Sequence, residues 1–517
     1  MTYDFIITTD RTMMSDHHGK EFIGFLATAP AFFLPERLWY RICCPKPKVD
    51  NEGRPLVATY GLRKVEAALI DAGYKAAIID PDYLDRHVRN AKAVLVGHHD
   101  FFAYGPPSSE WWLITGKEPI NRKALVKLMD RIAHYKRKYG FKVIVGGPAA
   151  WQWLWEPDLW SKWGVDTVID GEAENVIKEI AEKVIKGERL PKYVFVGPKD
   201  VPKIEEIPVI KGASVNGLIE VMRGCPRGCK FCSVTLRPLR FIPLEMIEEE
   251  IIVNVRAGIK HGIIHSEDVF LYGAKGVIPR EEPLIKLHEL FLKYFKTVAW
   301  AHASLAAIVV AQRSSKLVTK ITDMIYSKTE QNFLGVEVGI ETGSVRMAKA
   351  IMPAKSAPFP PEKWPEVVEE AFAIMHEHRI IPAATFILNL PGETPDDVMA
   401  TVELIDRLRP YRSLIVPMFF VPMGGLKGEK DVIAKVRVTK EHVEALKAAL
   451  FHTTYWAKDI MEKFYMRDLR YAPIRGLLNY FVDRVVKKAT SILERMKDFK
   501  YKDLTIRRPE EEYCLVV

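Results

Sequence analysis

Arg223-Gly224-Cys225-Pro226-Arg227-Gly228-Cys229-Lys230-Phe231-Cys232 places three cysteines within eight residues, at C-x3-C-x2-C spacing. Three thiolates from one short loop can each take one iron of a cubane 4Fe-4S cluster, which leaves the fourth iron without a protein ligand. An open iron can chelate the amino and carboxylate groups of a substrate, as open metal sites do in catalysis. Gly224 and Gly228 permit the tight backbone path such a loop needs. A zinc ion normally takes four ligands, and no fourth Cys or His stands at suitable spacing. Without a cluster, three exposed thiolates would be an oxidation liability. Cys225, Cys229 and Cys232 are therefore read as metal ligands.

Outward from this loop, short apolar runs alternate with amphipathic stretches from about Val215 to Gly425. Strands are expected at Gly217 to Arg223, Gly262 to Glu267, Thr297 to His302, Phe333 to Ile340, Ala383 to Leu390 and Ser413 to Val421. Helices such as Leu244 to Ala257 and Pro365 to Glu377 lie between them. About six such units fit a barrel-like α/β domain whose chemistry sits at the C-terminal ends of the strands. The same alternation fills residues 1–200. Strands are expected at Phe22 to Ala29, Ala76 to Asp80, Ala93 to Gly97, Lys142 to Gly146 and Thr167 to Asp170, and helices at Tyr60 to Ala72 and Arg122 to Tyr139. This pattern implies a mostly parallel sheet covered on both faces. Lys192 to Pro208, with Pro198, Pro202 and Pro208, reads as a linker. Beyond Gly425 the chain reads as helical. The expected domains are thus 1–200, 201–425 and 426–517.

The whole chain sets bounds. Its 517 residues suggest roughly two to four domains. The 75 Lys and Arg against 66 Asp and Glu give a net charge of +9, too mild to imply a nucleic-acid partner. The start lacks the basic residues of a signal peptide, and no apolar run approaches the ~20 residues of a membrane span. A cytoplasmic protein is expected. Six cysteines do not make a disulfide framework at this length.

The cysteine loop, with an aromatic before its last cysteine, resembles the radical SAM superfamily. Further segments fall where that family's partial (β/α)6 barrel has its S-adenosylmethionine contacts. Ser266-Glu267-Asp268 resembles the segment that holds the methionyl amine. Gly339-Ile340-Glu341-Thr342-Gly343-Ser344-Val345-Arg346 resembles the G-x-E-x-G-S stretch at the fourth strand. Phe386 to Glu393, with Asn389 and Leu390-Pro391-Gly392-Glu393-Thr394, resembles the fifth-strand segment beside adenosine and ribose. Val421-Pro422-Met423-Gly424-Gly425 fits the sixth strand end. The resemblance covers about residues 212 to 425. It implies S-adenosylmethionine bound by Ser266, Glu267, Glu341, Gly343, Ser344, Arg346, Asn389 and Pro391.

A flavodoxin-like (Rossmann-type) domain ahead of such a barrel resembles cobalamin-binding radical SAM enzymes, archaeal class B methyltransferase-like members among them. The residues that carry this are Val145-Gly146-Gly147-Pro148, Asp170-Gly171-Glu172-Ala173-Glu174, and the loop Gly97-His98-His99-Asp100 continuing to Ser109. The opening, Thr9-Asp10-Arg11-Thr12-Met13-Met14-Ser15 and then Pro30 to Pro45, has the texture of archaeal members. The resemblance implies cobalamin against Gly97, His98, His99, Gly146, Gly147, Gly171 and Glu172. Many cobalamin proteins ligate cobalt through D-x-H-x-x-G. Asp16-His17-His18-Gly19 has the wrong spacing, so no axial histidine is carried over; His98 and His99 are read first as hydrogen-bonding loop residues, with a place near the metal as the alternative. No G-x-G-x-x-G follows an early strand, which argues against a dinucleotide.

Other features read more plainly. Cys43, Cys44 and Cys514 are expected to be buried or incidental, since a disulfide between neighbours is strained. Trp151, Trp153, Trp155 and Trp160 are expected in a core, with a shielding role for a cofactor as the alternative. Arg467 to Arg508 carries 12 Lys/Arg against 5 Asp/Glu. It fits a solvated helix on the barrel, a peripheral membrane contact or the docking of an acidic protein.

Three activities follow from the resemblance. The first is a methyltransferase: reductive cleavage of S-adenosylmethionine gives a 5′-deoxyadenosyl radical, which takes hydrogen from an unactivated carbon, and methylcobalamin supplies the methyl group. The second keeps both cofactors and forms a C–C bond or ring, with an isoprenoid lipid as substrate. The third is a radical SAM modifying enzyme whose first domain recognises the substrate and binds no cobalamin. Radical hydrogen abstraction needs no general base, so no acid–base residue is named. A ferredoxin or flavodoxin is implied as electron donor. The substrate, whether small molecule, lipid or protein side chain, is not legible.

Overall fold

The computed structural model describes residues 2–19, 21–31, 34–423, 438–466 and 472–496. These fall into two compact units, 2–219 with 245–259, and 220–244 with 260–496. Gly424, Gly425, Cys514 and the basic stretch beyond residue 496 lie outside the described residues.

In the first unit β1 (Phe5–Thr8), β2 (Ala76–Ile78), β3 (Ala93–Gly97), β4 (Lys142–Gly146), β5 (Thr167–Asp170) and β6 (Tyr193–Phe195) form one parallel sheet, in the order β2-β1-β3-β4-β5-β6. The order is that of flavodoxin-like sheets with one more edge strand. Side chains alternate across a strand, so Ile6, Val94 and Val143 join Leu125, Met129 and Trp153 on one face. Phe5, Leu95 and Ile144 join Leu62, Leu69 and Ile180 on the other. Both faces are dry, which explains why β1 and β3 are continuous apolar runs. The helix Ile120–Tyr139 buries Leu125, Leu128, Met129 and Ile132, and ends on Gly140 in the left-handed conformation.

Two expectations fail here. Residues 22–29 do not form a strand; Glu21–Ala27 is a helix, and Ile23, Leu26 and Ala27 pack with Trp39, Tyr40 and Cys43. A short apolar run has no period that separates helix from strand. The first strand of the sheet is instead Phe5-Ile6-Ile7-Thr8, an interior strand outside the expected set. The linker over Lys192 to Pro208 contains β6, which pairs with β5 through Val168–Tyr193 and Ile169–Val194. The prolines follow that strand rather than interrupt it.

Past Leu218–Glu220, which we label β7, the second unit carries β8 (His261–His265), β9 (Thr297–Trp300), β10 (Leu334–Glu341), β11 (Ile380–Leu388) and β12 (Leu414–Phe419). β8 and β9 pair in parallel, as do β10, β11 and β12. One parallel bridge, His302 to Glu337, joins the two groups. Glu337 N–H donates to the Ala301 carbonyl and Ala303 N–H to the Glu337 carbonyl, at 2.9 and 3.0 Å. The strands therefore succeed one another as in a partial barrel, close to the expected boundaries. Helix Lys440–Ile460 covers the β12 edge: the Thr453 hydroxyl accepts from Ile415 N–H and donates to Ile415 O, both at 2.8 Å. Covering a sheet edge blocks strand addition.

Candidate active site

The cysteine loop follows the short strand Met222–Arg223, which pairs antiparallel with Arg240–Phe241. Gly224 adopts φ 84°, and a Cβ there would stand 2.7 Å from the Arg237 carbonyl, so the turn requires glycine. The loop is fastened by the protein itself. Lys230 N–H donates to the Ile351 carbonyl at 2.9 Å. Arg227, almost fully buried, donates through Nη1 to the carbonyls of Lys355 and Ala357, each at 2.9 Å. Thr235 Oγ1 donates to the Cys232 carbonyl at 2.9 Å.

Burial pushes all three thiols up, Cys225 to about 12. The charges felt at each sulfur map the surroundings. Cys225 feels Asp268 and Arg227, Cys229 feels Lys355 and Glu341, and Cys232 feels Glu267 and Lys355. Three segments expected to bind S-adenosylmethionine or the cluster thus share one electrostatic environment. Among the described residues no group of three His, Cys, Asp or Glu is gathered as for a single metal ion. A cubane instead gives each thiolate its own iron.

Glu341 reaches this site because β10 breaks. The register with β11 shifts between Gly339 and Glu341, and Glu341 has φ 61°. A bulge of this kind re-aims a side chain. Trp364 Nε1 secures it by donating to the carbonyls of Ile340 and Thr342, both at 3.0 Å. The re-aimed carboxylate pairs with Lys355 Nζ at 2.5 Å. Gly339 is small for a local reason: a Cβ would lie 2.6 Å from Lys355 Nζ. Gly343 likewise makes room for the Thr401 backbone, at 2.7 Å from Cα.

Three expected S-adenosylmethionine contacts present a buried polar atom that no protein group satisfies: Ser266 Oγ, Glu341 Oε2 and Asn389 Nδ2. Orphaned buried polar atoms are costly, so each of them fits a polar ligand. Asn389 holds φ 60°, with its N–H donating to Glu393 at 2.7 Å. Glu393 in turn meets His442 Nε2 at 3.0 Å. Pro391 lies between them, partly exposed, as is Glu267. Ser344 and Arg346 are differently employed. Ser344 caps the helix Val345–Ile351 and bonds Asp397, and Arg346 bonds Asp397 and the Gly392 carbonyl. Burial opposes ionisation of Asp397, yet donors from Arg346, Ser344 and Thr394 hold it far below the usual carboxylate range. These two residues latch the fourth-strand loop to the fifth.

Glu337 and His302 were not singled out by sequence. On β10, Val336, Val338 and Ile340 are buried while Gly335, Glu337 and Gly339 are partly exposed, so the two faces differ. Glu337, 43% exposed, meets His302 Nε2 at 3.1 Å, and His302 Nδ1 lies 3.2 Å from the Ser266 carbonyl. Burial pushes the imidazole down, but the Glu337 carboxylate outweighs it and raises the pKa above its ordinary value. A lone carboxylate in Leu334-Gly-Val-Glu-Val-Gly-Ile was the available signal.

In the first unit the expected loops stand at the C-terminal ends of β1, β3, β4 and β5, where sheets of this order bind ligands beside the β1/β3 switch point. His98, on the loop after β3, directs Nε2 to Asp10 Oδ2 at 2.6 Å, with both side chains 1% exposed. Asp100 N–H donates to His98 Nδ1 at 2.8 Å, so Nε2 carries the hydrogen. Nε2 and Asp10 Oδ2 lie in contact, yet neither makes a well-aligned hydrogen bond. His99, next in the loop, is exposed. Gly147 has φ 116°, and a Cβ there would lie 2.7 Å from the His98 carbonyl. A Cβ on Gly171 would meet Val196 Cβ at 2.7 Å, one on Gly97 would crowd Leu62, and one on Gly146 would stand 3.2 Å from the Ile169 carbonyl. These glycines serve packing within the chain. Glu172 is buried. Thr9 Oγ1 and Asp100 Oδ2, at the same strand ends, are buried without a hydrogen-bond partner and fit a polar ligand.

The remaining candidates are structural. Cys43 and Cys44 are buried beside Ala27 and Ile120, and burial raises both thiols. Trp153 and Trp160 are core residues, whereas Trp151 and Trp155 are partly exposed and meet edge to face at 4.5 Å.

Residues 219–405 match the family model of the radical SAM superfamily. Among its relatives are tRNA-2-methylthio-N(6)-dimethylallyladenosine synthase of Orientia tsutsugamushi (strain Ikeda), 24% identical over 41% of this chain and 44% of that protein, and an uncharacterized methyltransferase of Pyrococcus horikoshii, 24% identical over 52% and 58%. The chain spans about half the length of these curated relatives. A solved structure of the radical S-adenosylmethionine methyltransferase TsrM from Kitasatospora setae, with tryptophan substrate and a SAM analog bound, matches with TM-score 0.50 and 14% identity. That match covers 84% of this chain and 77% of TsrM, and it shows a shared fold.

Proposed function

We propose that this protein is a cobalamin-dependent radical SAM enzyme that transfers a methyl group to an unactivated carbon. The observation that carries the reading is the three-cysteine loop fastened beside the Lys355–Glu341 pair, together with Ser266 Oγ, Glu341 Oε2 and Asn389 Nδ2 left buried without a hydrogen-bond partner. When bound, a 4Fe-4S cluster supplies the electron for reductive cleavage of S-adenosylmethionine, and cobalamin supplies a transferable methyl group. Cys225, Cys229 and Cys232 hold the cluster. Ser266 and Glu267 take the methionyl end, Glu341 and Asn389 supply further polar contacts, and Pro391 lies against the nucleoside. Gly343, Ser344 and Arg346 act by shaping the loop. In the first unit, Thr9, Gly97, His98, His99, Asp100, Gly146, Gly147, Gly171 and Glu172 border the cobalamin site. A ferredoxin or flavodoxin donates electrons, and the protein works in the cytoplasm.

A second reading has an observation of its own. Gly147 and Gly171 are accounted for by His98 and Val196 without any ligand, which favours a first unit that recognises substrate and binds no cobalamin. Anaerobic purification after growth with cobalamin, followed by iron and cobalt quantification, separates the two. About four irons and one cobalt per chain support the two-cofactor enzyme; iron alone, with cobalamin in excess, removes it. Cyclisation of an isoprenoid is the alternative outcome once both cofactors are present, recognised by a product that gains no methyl group.

A further inference from the structure

Buried charge stands beside the cysteine loop on one side. Lys355 Nζ pairs with Glu341, and the side chains are 13% and 8% exposed. Nζ also lies 5.9 Å from the centre of the Phe231 ring, between Cys229 and Cys232 in sequence. The backbone that carries Lys355 is gripped by the cysteine loop: Arg227 Nη1 donates to the Lys355 and Ala357 carbonyls, and Lys230 N–H to the Ile351 carbonyl. Glu341 is fixed independently, by the β10 bulge and the Trp364 bonds. The pair is rigidly held, and with little water nearby its charges act strongly at short range.

We infer that the Lys355–Glu341 pair sets the reduction potential of the cluster held by Cys225, Cys229 and Cys232. The inference rests on the cluster reading above. Reduction adds one electron, and so one negative charge, to the cluster. A neighbouring ammonium stabilises the reduced form and a neighbouring carboxylate destabilises it. The two partners therefore act with opposite sign, and the intact pair holds the potential between the extremes. Lys355 is a positioning and electrostatic residue here.

The test is an anaerobic redox titration of the reconstituted, S-adenosylmethionine-free protein, followed by electron paramagnetic resonance, with iron quantified in every sample. Lys355→Met should shift the one-electron reduction equilibrium about tenfold toward the oxidised cluster, about 59 mV more negative. Glu341→Gln should shift it by a similar factor toward the reduced cluster. Lys355→Arg, which keeps the charge, should stay near the parent value. Shifts of the same sign, or none in either neutral variant with four irons retained, overturn the inference. Should Lys355→Met lose iron, Glu341→Gln decides alone: an unchanged or more negative potential overturns it. A parent protein that takes up no iron would instead remove the cluster reading itself.

Discussion

His302 Nε2 stands 3.1 Å from Glu337 Oε2 across the one bridge that joins the two groups of barrel strands. The other ring nitrogen faces the Ser266 carbonyl, so the imidazole links a partly exposed carboxylate to a segment expected to hold S-adenosylmethionine. Both nitrogens face oxygen acceptors, an arrangement that favours the imidazolium.

Glu337→Gln should lower the His302 pKa, since the carboxylate is what raises it. Imidazole-labelled NMR across pH 5 to about 9 reads this directly, around an ordinary value of about 6.5. A folded pKa above the unfolded one stabilises fully at pH below the unfolded value, and that stabilisation fades as pH rises through the folded value. An unmoved His302 titration in the variant would show that the pair has no electrostatic role.

His98→Ala should destabilise the first unit by about 1–3 kcal/mol, because it removes the polar group that faces the buried Asp10 carboxylate. Burial pushes the Asp10 carboxyl up, but His98 and the Thr12 donors outweigh it and hold the pKa below its usual value. That stability is present above the unfolded pKa of about 3.9 and is lost as pH falls through the folded value. Thermal unfolding of the parent and the variant, compared at neutral pH and near pH 3, checks both statements. Equal melting temperatures at neutral pH would refute the first.

His442→Ala should weaken S-adenosylmethionine binding about tenfold, the scale of one hydrogen bond to a charged group. His442 bonds Glu393, which accepts from Asn389 N–H, so its loss loosens the expected nucleoside loop. Calorimetric titration of the reconstituted protein, with iron content unchanged, is the measurement. Parent-like affinity would place that loop away from the ligand.

Cys229→Ala should abolish iron uptake and 5′-deoxyadenosine formation while the first unit keeps its thermal transition. Continued 5′-deoxyadenosine production by this variant would end the assignment of the loop as a cluster site.

The six barrel strands were legible because each is an apolar run bounded by turn residues, and C-x3-C-x2-C declares itself through spacing alone. Ser266, Glu341 and Asn389 were singled out by likeness to a family, and each carries a buried polar atom without a hydrogen-bond partner. The work of Ser344 and Arg346 was not: their partner Asp397 lies 51 to 53 residues further on, and no local pattern reports such a pairing. Glu337 and His302 escaped for the same reason, since a bridge between strands is a tertiary fact. The edge strand Tyr193–Phe195 was hidden by the prolines after it. The first strand was too short to stand out, and the Phe22 to Ala29 run imitated it.

The fastening of the cysteine loop by Arg227, Lys230 and Thr235 has a consequence for maturation. Small metal domains often fold only as the metal arrives. Here bonds from Arg227, Lys230 and Thr235 hold the loop through protein atoms alone, so these contacts do not depend on a metal. Air-damaged protein stripped of its iron should keep its fold and accept a fresh cluster through repeated cycles, as a socket accepts a replaced lamp.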